Sequence, residues 1–301
     1  MTQRMEINRL EVETSILSEH RCRLGEGCTY DPVTGTAWWF DILERTLFRA
    51  ELASGAVTSH ALPVMASVLA YIDDARQLLA SDTGLYVRDI ANGHLTLHTP
   101  LEADDATTRS NDGRVHPCGA LWVGTMGREA EKGAGSIYHF HRGVVSLLYA
   151  GVSIPNAICF SPDGATAYFA DTSEAILHRV AIDPATATPI ADPEMLYDHR
   201  GGAGGLDGAV VDAEGLIWNA RWGGSCVDVY TPDGQRIHTL AVPAKQSSCP
   251  VFVGSNLDRL LVTSASQGMD QQARAADPHH GKTFILDVGA IGRPEPRVRL
   301  A

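Results

Sequence analysis

Apolar and polar residues alternate in short stretches along most of the chain, and Gly, Pro, Asp and Asn interrupt them. LYVRDI (85–90) is one such stretch. Alternation at period two is the mark of a half-buried strand. Six segments share one outline, a short apolar strand, a polar turn and a second apolar strand: TYDPVTGTAWWFD (29–41), AYIDDARQLLASD (70–82), RVHPCGALWVGTM (114–126), CFSPDGATAYFAD (159–171), VVDAEGLIWNARW (210–222) and VGSNLDRLLVTSA (253–265). Their turns begin at Asp31, Asp73, His116, Ser161, Asp212 and Ser255, at spacings of 42, 43, 45, 51 and 43 residues. A second hairpin follows several copies, as in TLFRAELASGAVTSHAL (46–62) and CVDVYTPDGQRIHTLAV (226–242). Two hairpins make four strands, and four strands repeated at this period are the sequence form of a propeller blade. The pattern predicts an all-β, six-bladed β-propeller of four-stranded antiparallel blades, in a single domain over 1–301. A spare strand around Leu10 to Leu17 is expected to pair with the last blade and close the ring, since exposed blade edges invite pairing. No long amphipathic helix is visible; DQQARAADPHH (270–280) is short and polar.

The innermost strand of each blade lines the central channel, so equivalent positions of the six copies form a ring at one depth. Five residues before each turn stand Glu26, Val68, Asn111, Asn156, Asp207 and Pro250. Four of the six carry a carboxylate or a carboxamide. Acidic groups crowded on one axis are costly unless a cation neutralises them. An oxygen-only donor set suits a hard divalent ion.

Other features read as structure. The pair His279–His280 falls in a polar loop expected to be solvated, and His116 falls in a turn expected at the surface. Asp163–Gly164 and Asp233–Gly234 are hairpin turns. GGAGG (201–205) has no strand–GxGxxG–helix context and reads as a loop. No G-x-S-x-G elbow supports a serine hydrolase.

Composition narrows the partners. Hydrophobic residues make up 44% of the 301, enough for a sizeable core, and the formal charge is −12. So acidic a surface repels phosphate backbones and anionic lipid, which argues against nucleic acid and membrane as partners. The longest nearly unbroken apolar run, Leu62 to Ile72, is too short to span a bilayer. The first twenty residues lack the apolar region of a signal peptide. A cytoplasmic location is therefore expected. Six cysteines without a CxxC pair (Cys22, Cys28, Cys118, Cys159, Cys226 and Cys249) read as reduced, structural thiols.

These segments resemble the regucalcin/gluconolactonase family of six-bladed propellers. The likeness runs from Leu24 to about Ala265. It is carried by LGEG (24–27) with WWFD, by RSNDGRVHPCGALWVGTM (109–126), by IPNAICFSPDGATAYFADT (154–172) and by LDGAVVDAEGLIWNARWGG (206–224). The resemblance implies that Glu26, Asn156 and Asp207 hold one divalent metal ion, calcium first, with zinc, magnesium or manganese as alternatives. It implies substrate contacts from Arg109, Asn111 and Glu129. This chain has Cys28 where the family usually has Pro after LGEG, and Ala157 where it usually has Gly after the metal-binding Asn. WGG (222–224) looks more like the bacterial sugar-acid lactonases.

The expected function is metal-dependent opening of a sugar-acid lactone, with Asp207 both ligand and base for the attacking water. A calcium-binding regulatory or scaffold propeller, and a propeller esterase or phosphotriesterase, stay open as alternatives. Protein partners, and which sugar lactone is the substrate, stay unassigned.

Overall fold

The computed structural model describes residues 8–301. The first seven residues, part of the stretch read for a leader, lie outside the described residues. Six antiparallel sheets are arranged in a ring. Their innermost strands are Gly25–Asp31, Ala66–Tyr71, Thr108–Val115, Pro155–Phe160, Gly205–Val211 and Ser247–Val253. Each touches the next, and the sixth touches the first. In the first five blades the four strands follow one another in chain order outward from the channel. Apolar faces of neighbouring blades bury Trp39, Trp122, Phe160 and Phe252. The propeller read from the repeat is therefore the observed fold.

Ring closure differs in one detail from the expectation. Thr14–Ser18 pairs antiparallel with Thr283–Asp287 and becomes the outermost strand of the sixth blade. Asn8–Leu10, at the start of the supposed spare strand, instead runs parallel to Arg236–Ala241 on the outer edge of the fifth blade. One segment thus covers two edges that would otherwise expose unpaired backbone.

Aspartates at the ends of two second strands set where the innermost strands begin. Asp41 accepts from the backbone N–H groups of Arg23 (2.7 Å) and Leu24 (3.1 Å). Asp171 does the same for Ser153 (2.7 Å) and Ile154 (3.1 Å). These bonds pin the chain just ahead of Glu26 and of Asn156. Asp41 also has the Cys22 thiol and the His20 ring close by, their donor atoms within 4.8 Å of one another. Its oxygens are already occupied by backbone donors, which makes Asp41 a brace.

Two histidine readings are corrected. His116 is fully buried: its Nε2 lies 2.9 Å from the Gly164 carbonyl, and its ring meets Phe160 edge-on at 5.0 Å. The Asp-Gly turn of the fourth blade folds back over the preceding blade and covers it. His280 is also buried, with Nδ1 2.5 Å from the Asp277 carbonyl, beside a short helix, Gln271–Ala276, whose N-cap is Asp270. All six cysteines are free, and five are buried.

Candidate active site

Every innermost strand slips register against its neighbour at the depth of the ring: after Glu26, Ala66, Ser110, Asn156, Leu206 and Ser247. A bulge leaves extra residues unpaired, bends the strand and re-aims its side chains. Here the bulges turn Glu26, Asn111, Asn156 and Asp207 toward one cleft of about 250 Å³. Arg109 and Glu129 line the same cleft, so all six residues singled out in the sequence meet there. Arg109, Asn156 and Asp207 are each 4% exposed, whereas Glu129 stands on the exposed rim.

The bulges demand unusual backbone. Gly27 has φ +59°, and a Cβ there would sit 1.9 Å from the Ser67 carbonyl oxygen. Ala157, the residue after Asn156, keeps the same left-handed conformation at φ +55° despite its methyl group. That conformation costs an L-residue about 1–2 kcal/mol. The strain sits next to a candidate ligand, where surrounding packing has to hold it in place.

A chain of hydrogen bonds fixes the amides. Thr172 Oγ1 donates its one proton to the Leu206 carbonyl (2.6 Å), so it can only accept from Asn156. Asn156 therefore presents Nδ2 to Thr172 (2.9 Å), and its Oδ1 accepts from Asn111 Nδ2 (3.2 Å). Asn111 Nδ2 also reaches the Pro155 carbonyl (3.0 Å), and its Oδ1 accepts from Arg109 Nη1 (2.8 Å). The Nε of Arg109 is buried with no hydrogen-bond partner in the protein. In the fifth blade, Asn219 Nδ2 holds the backbone carbonyls of Asp207 (2.6 Å) and Gly208 (3.2 Å).

Burial and mutual repulsion disfavour the charged forms of the site's carboxyls. Burial raises Glu26 to about 8, and the charge of Asp112 adds to the rise. Burial, then Glu26, then Asp112 push Asp207 well above the usual carboxylate range. Burial lowers the Arg109 guanidinium to about 10, with Glu26 and Asp207 opposing the change. Two buried carboxyls, Glu26 and Asp207, thus share the cleft, with Asp112 outside it beside Arg114. Oxygen donors from Glu26, Asn156 and Asp207, with nitrogen and sulfur absent, fit a hard divalent cation.

Sequence reasoning missed several participants. Asp112 adjoins Asn111 but stands off the ring register. Thr172 and Asn219 act through side chains that are unremarkable in sequence. Trp222, Met126, Ile154 and Leu24 form the apolar walls, and Arg128 and Gln267 complete the lining. Leu24, Asp112, Met126, Ile154, Thr172, Asn219 and Trp222 all lie in the stretches that carry the family resemblance, which is the signal that could have found them.

Comparison with known proteins supports one kinship along nearly the whole chain. Residues 24–266 match the model of the SMP-30/Gluconolactonase/LRE-like region. A Rhizobium meliloti protein provisionally named a sugar lactone lactonase is 61% identical over 94% of this chain and 96% of its own. The L-arabinolactonase of Azospirillum brasilense is 33% identical over 95% of each chain. A crystal structure from Agrobacterium tumefaciens, described as regucalcin, a calcium-binding protein, superposes with a TM-score of 0.96 at 55% identity, covering 97% of this chain and 99% of that one. With a shared propeller and a match that takes in every ring position, the chain belongs to the SMP-30/gluconolactonase/LRE-like family.

Proposed function

We propose that the protein hydrolyses a sugar-acid lactone to the open acid, with one divalent cation held by Glu26, Asn156 and Asp207. The observation that carries this reading is the convergence, in one cleft, of a buried oxygen-donor set with Arg109 and Asn111. The names of the relatives, among them an L-arabinolactonase and a pentonolactonase from Haloferax volcanii, favour five-carbon aldonolactones as first substrates. Calcium is the first candidate ion, by the donor chemistry and by the description of the Agrobacterium protein.

A bound cation would supply Lewis-acid polarisation of the lactone carbonyl and charge compensation for the oxyanion. The chain's own residues do the rest. Arg109, in the cleft wall, donates to the ring hydroxyls through its guanidinium, and Asn111 and Glu129 line the adjoining walls. Such polar readout rejects apolar esters, because those would leave buried donors unpaired. This disfavours an esterase for apolar substrates. Asp207 accepts the proton of the attacking water at its carboxylate. Trp222, Met126, Ile154 and Leu24 limit the water around it.

A panel of purified five- and six-carbon aldonolactones tests the reading, followed by acid release, with EDTA and metal add-back and a paraoxon-type ester as the contrast. Opening of at least one aldonolactone, lost with EDTA and restored by a divalent ion, is expected. Ester hydrolysis without lactone opening would overturn the proposal. Asn111→Ala should raise KM about tenfold at saturating metal, since one lost hydrogen bond is worth about 1.5 kcal/mol. Steady-state kinetics checks it, and an unchanged KM would remove Asn111 from substrate binding.

A further inference from the structure

The innermost strands run from the cleft toward the turns at the other end of the channel. Beneath those turns passes the segment that follows the last strand. The Ala213 N–H donates to the Ile291 carbonyl (2.9 Å), and the Gly292 N–H to the Leu257 carbonyl (2.7 Å). Arg293 Nη2 reaches the Phe160 carbonyl (3.1 Å). The Val298 N–H donates to Tyr71 (2.8 Å) and the Arg299 N–H to Gly119 (2.9 Å). Residues 291–299 are thereby stitched to the second through sixth blades, across the mouth of the channel. The space left there consists of cavities of about 20 and 30 Å³, room for single waters.

Glu295 projects from this segment into the channel. Its Oε1 lies 2.7 Å from Arg114 Nη1, and the two side chains are 14% and 9% exposed. Arg114 stands three residues beyond Asn111 on the same strand. Its Nη2 spans the channel to the Ala209 carbonyl (2.8 Å), two residues beyond Asp207, and approaches the Pro250 carbonyl (3.5 Å). A single guanidinium thus joins the third, fifth and sixth blades directly under the carboxyl cluster. Removing one partner of a buried ion pair leaves the other charge uncompensated. Here Arg114 would keep the neighbouring Asp112 carboxyl but lose its ion-pair partner, and the field beneath a site that must itself attract a cation would become more positive.

We propose that Glu295 is a positioning residue: it holds Arg114 across the channel floor, and Arg114 in turn fixes the strand that carries Asp207 and balances the charge beneath the cation site. The clause about the cation rests on the proposed function; the clause about the strand does not.

The test uses the full chain in two variants. Glu295→Gln removes the charge at nearly constant shape. Arg297→Ala removes an exposed ion pair of the same segment, Arg297 Nη2 to Asp74 Oδ1 at 2.5 Å, and leaves Arg114 its partner. Binding of calcium and of manganese is measured by calorimetry, and backbone hydrogen exchange is measured over Gly205–Val211. Glu295→Gln should weaken ion binding at least tenfold and speed exchange in that strand at least tenfold, while Arg297→Ala keeps wild-type values of both. Wild-type exchange over Gly205–Val211 in Glu295→Gln overturns the proposal. Equal losses in the two variants also overturn it, because the segment would then act only as a structural tie. If the wild-type protein binds neither ion, the cation reading fails and the exchange measurement still decides the role of Glu295. Should Glu295→Gln fail to fold, Glu295→Asp, charged but one methylene shorter, should move both readouts in the same direction by less, and wild-type values there overturn the proposal.

Discussion

Asp207→Asn should lower kcat by about 10²–10⁴-fold at saturating metal, the usual effect of losing a general base. Affinity for the ion should fall by a smaller factor. The amide keeps an oxygen in the place of the carboxylate, and Asn219 holds the backbone on both sides of the bulge through the Asp207 and Gly208 carbonyls, so the geometry survives the change. The negative charge and the proton acceptor do not survive. KM should move little, because Arg109 and Asn111 keep their places. Initial rates at metal concentrations well above the Kd of each protein separate the two jobs of this residue. Near wild-type turnover would leave Asp207 as a ligand only. Glu129, exposed on the cleft rim, would then be the next base to test.

The repeat count located the ring although the innermost strands are not of one length: their register slips five residues before the turn at Glu26 and Asn156 but six before it at Ser110 and Leu206. Counting five residues back from Asp31, Ser161 or Asp212 still reaches the bulge, and Glu26, Asn156 and Asp207 meet in one cleft. Alternation cannot reveal bulges, since it reports only which face a residue takes. It therefore could not show that Asp112, one position off the ring, would add its charge to Glu26 and Asp207. Contacts made across the ring were equally hidden. Arg114 and Glu295 are separated by 181 positions, and nothing local to either marks the other. His116 was misplaced for a related reason: a turn residue is exposed in an isolated hairpin, but in a ring the next blade's Gly164 turn lies over it. Thr172 illustrates the limit most clearly. Its value lies in a hydroxyl proton already committed to Leu206, which orients Asn156. Such a role exists only in the hydrogen-bond network.

Glu26→Gln should make the metal-free protein more stable at alkaline pH while it weakens metal binding severely. Burial holds Glu26 at about 8, against an ordinary value of 4.5. Below about pH 4.5 the carboxyl is protonated in both the folded and the unfolded chain, so it contributes no pH dependence. Between about pH 4.5 and 8 the folded state keeps a proton that the unfolded state releases, so stability falls as pH rises, by at most about 1.4 kcal/mol per pH unit. Above about pH 8 both states are ionised and the loss stays constant, at most about 5 kcal/mol. Gln cannot ionise, and its amide oxygen can still accept the Gly27 N–H that Glu26 Oε2 takes at 3.0 Å. The variant escapes the loss. In EDTA, its melting temperature should match wild type near pH 4.5 and exceed it by several degrees at pH 9. Saturating calcium should close most of that gap at pH 9. A ligand at a thousandfold excess over its Kd adds about 4 kcal/mol to the wild-type fold, and the variant, short of one charged oxygen, gains much less. The site would then be a place where the fold gives up stability to keep an affinity for cations. Metal-free melting curves of the two proteins that stay parallel from pH 4.5 to 9 would show that Glu26 is not held protonated by the channel. Calcium raising the two melting temperatures equally would instead remove Glu26 from the metal's ligands.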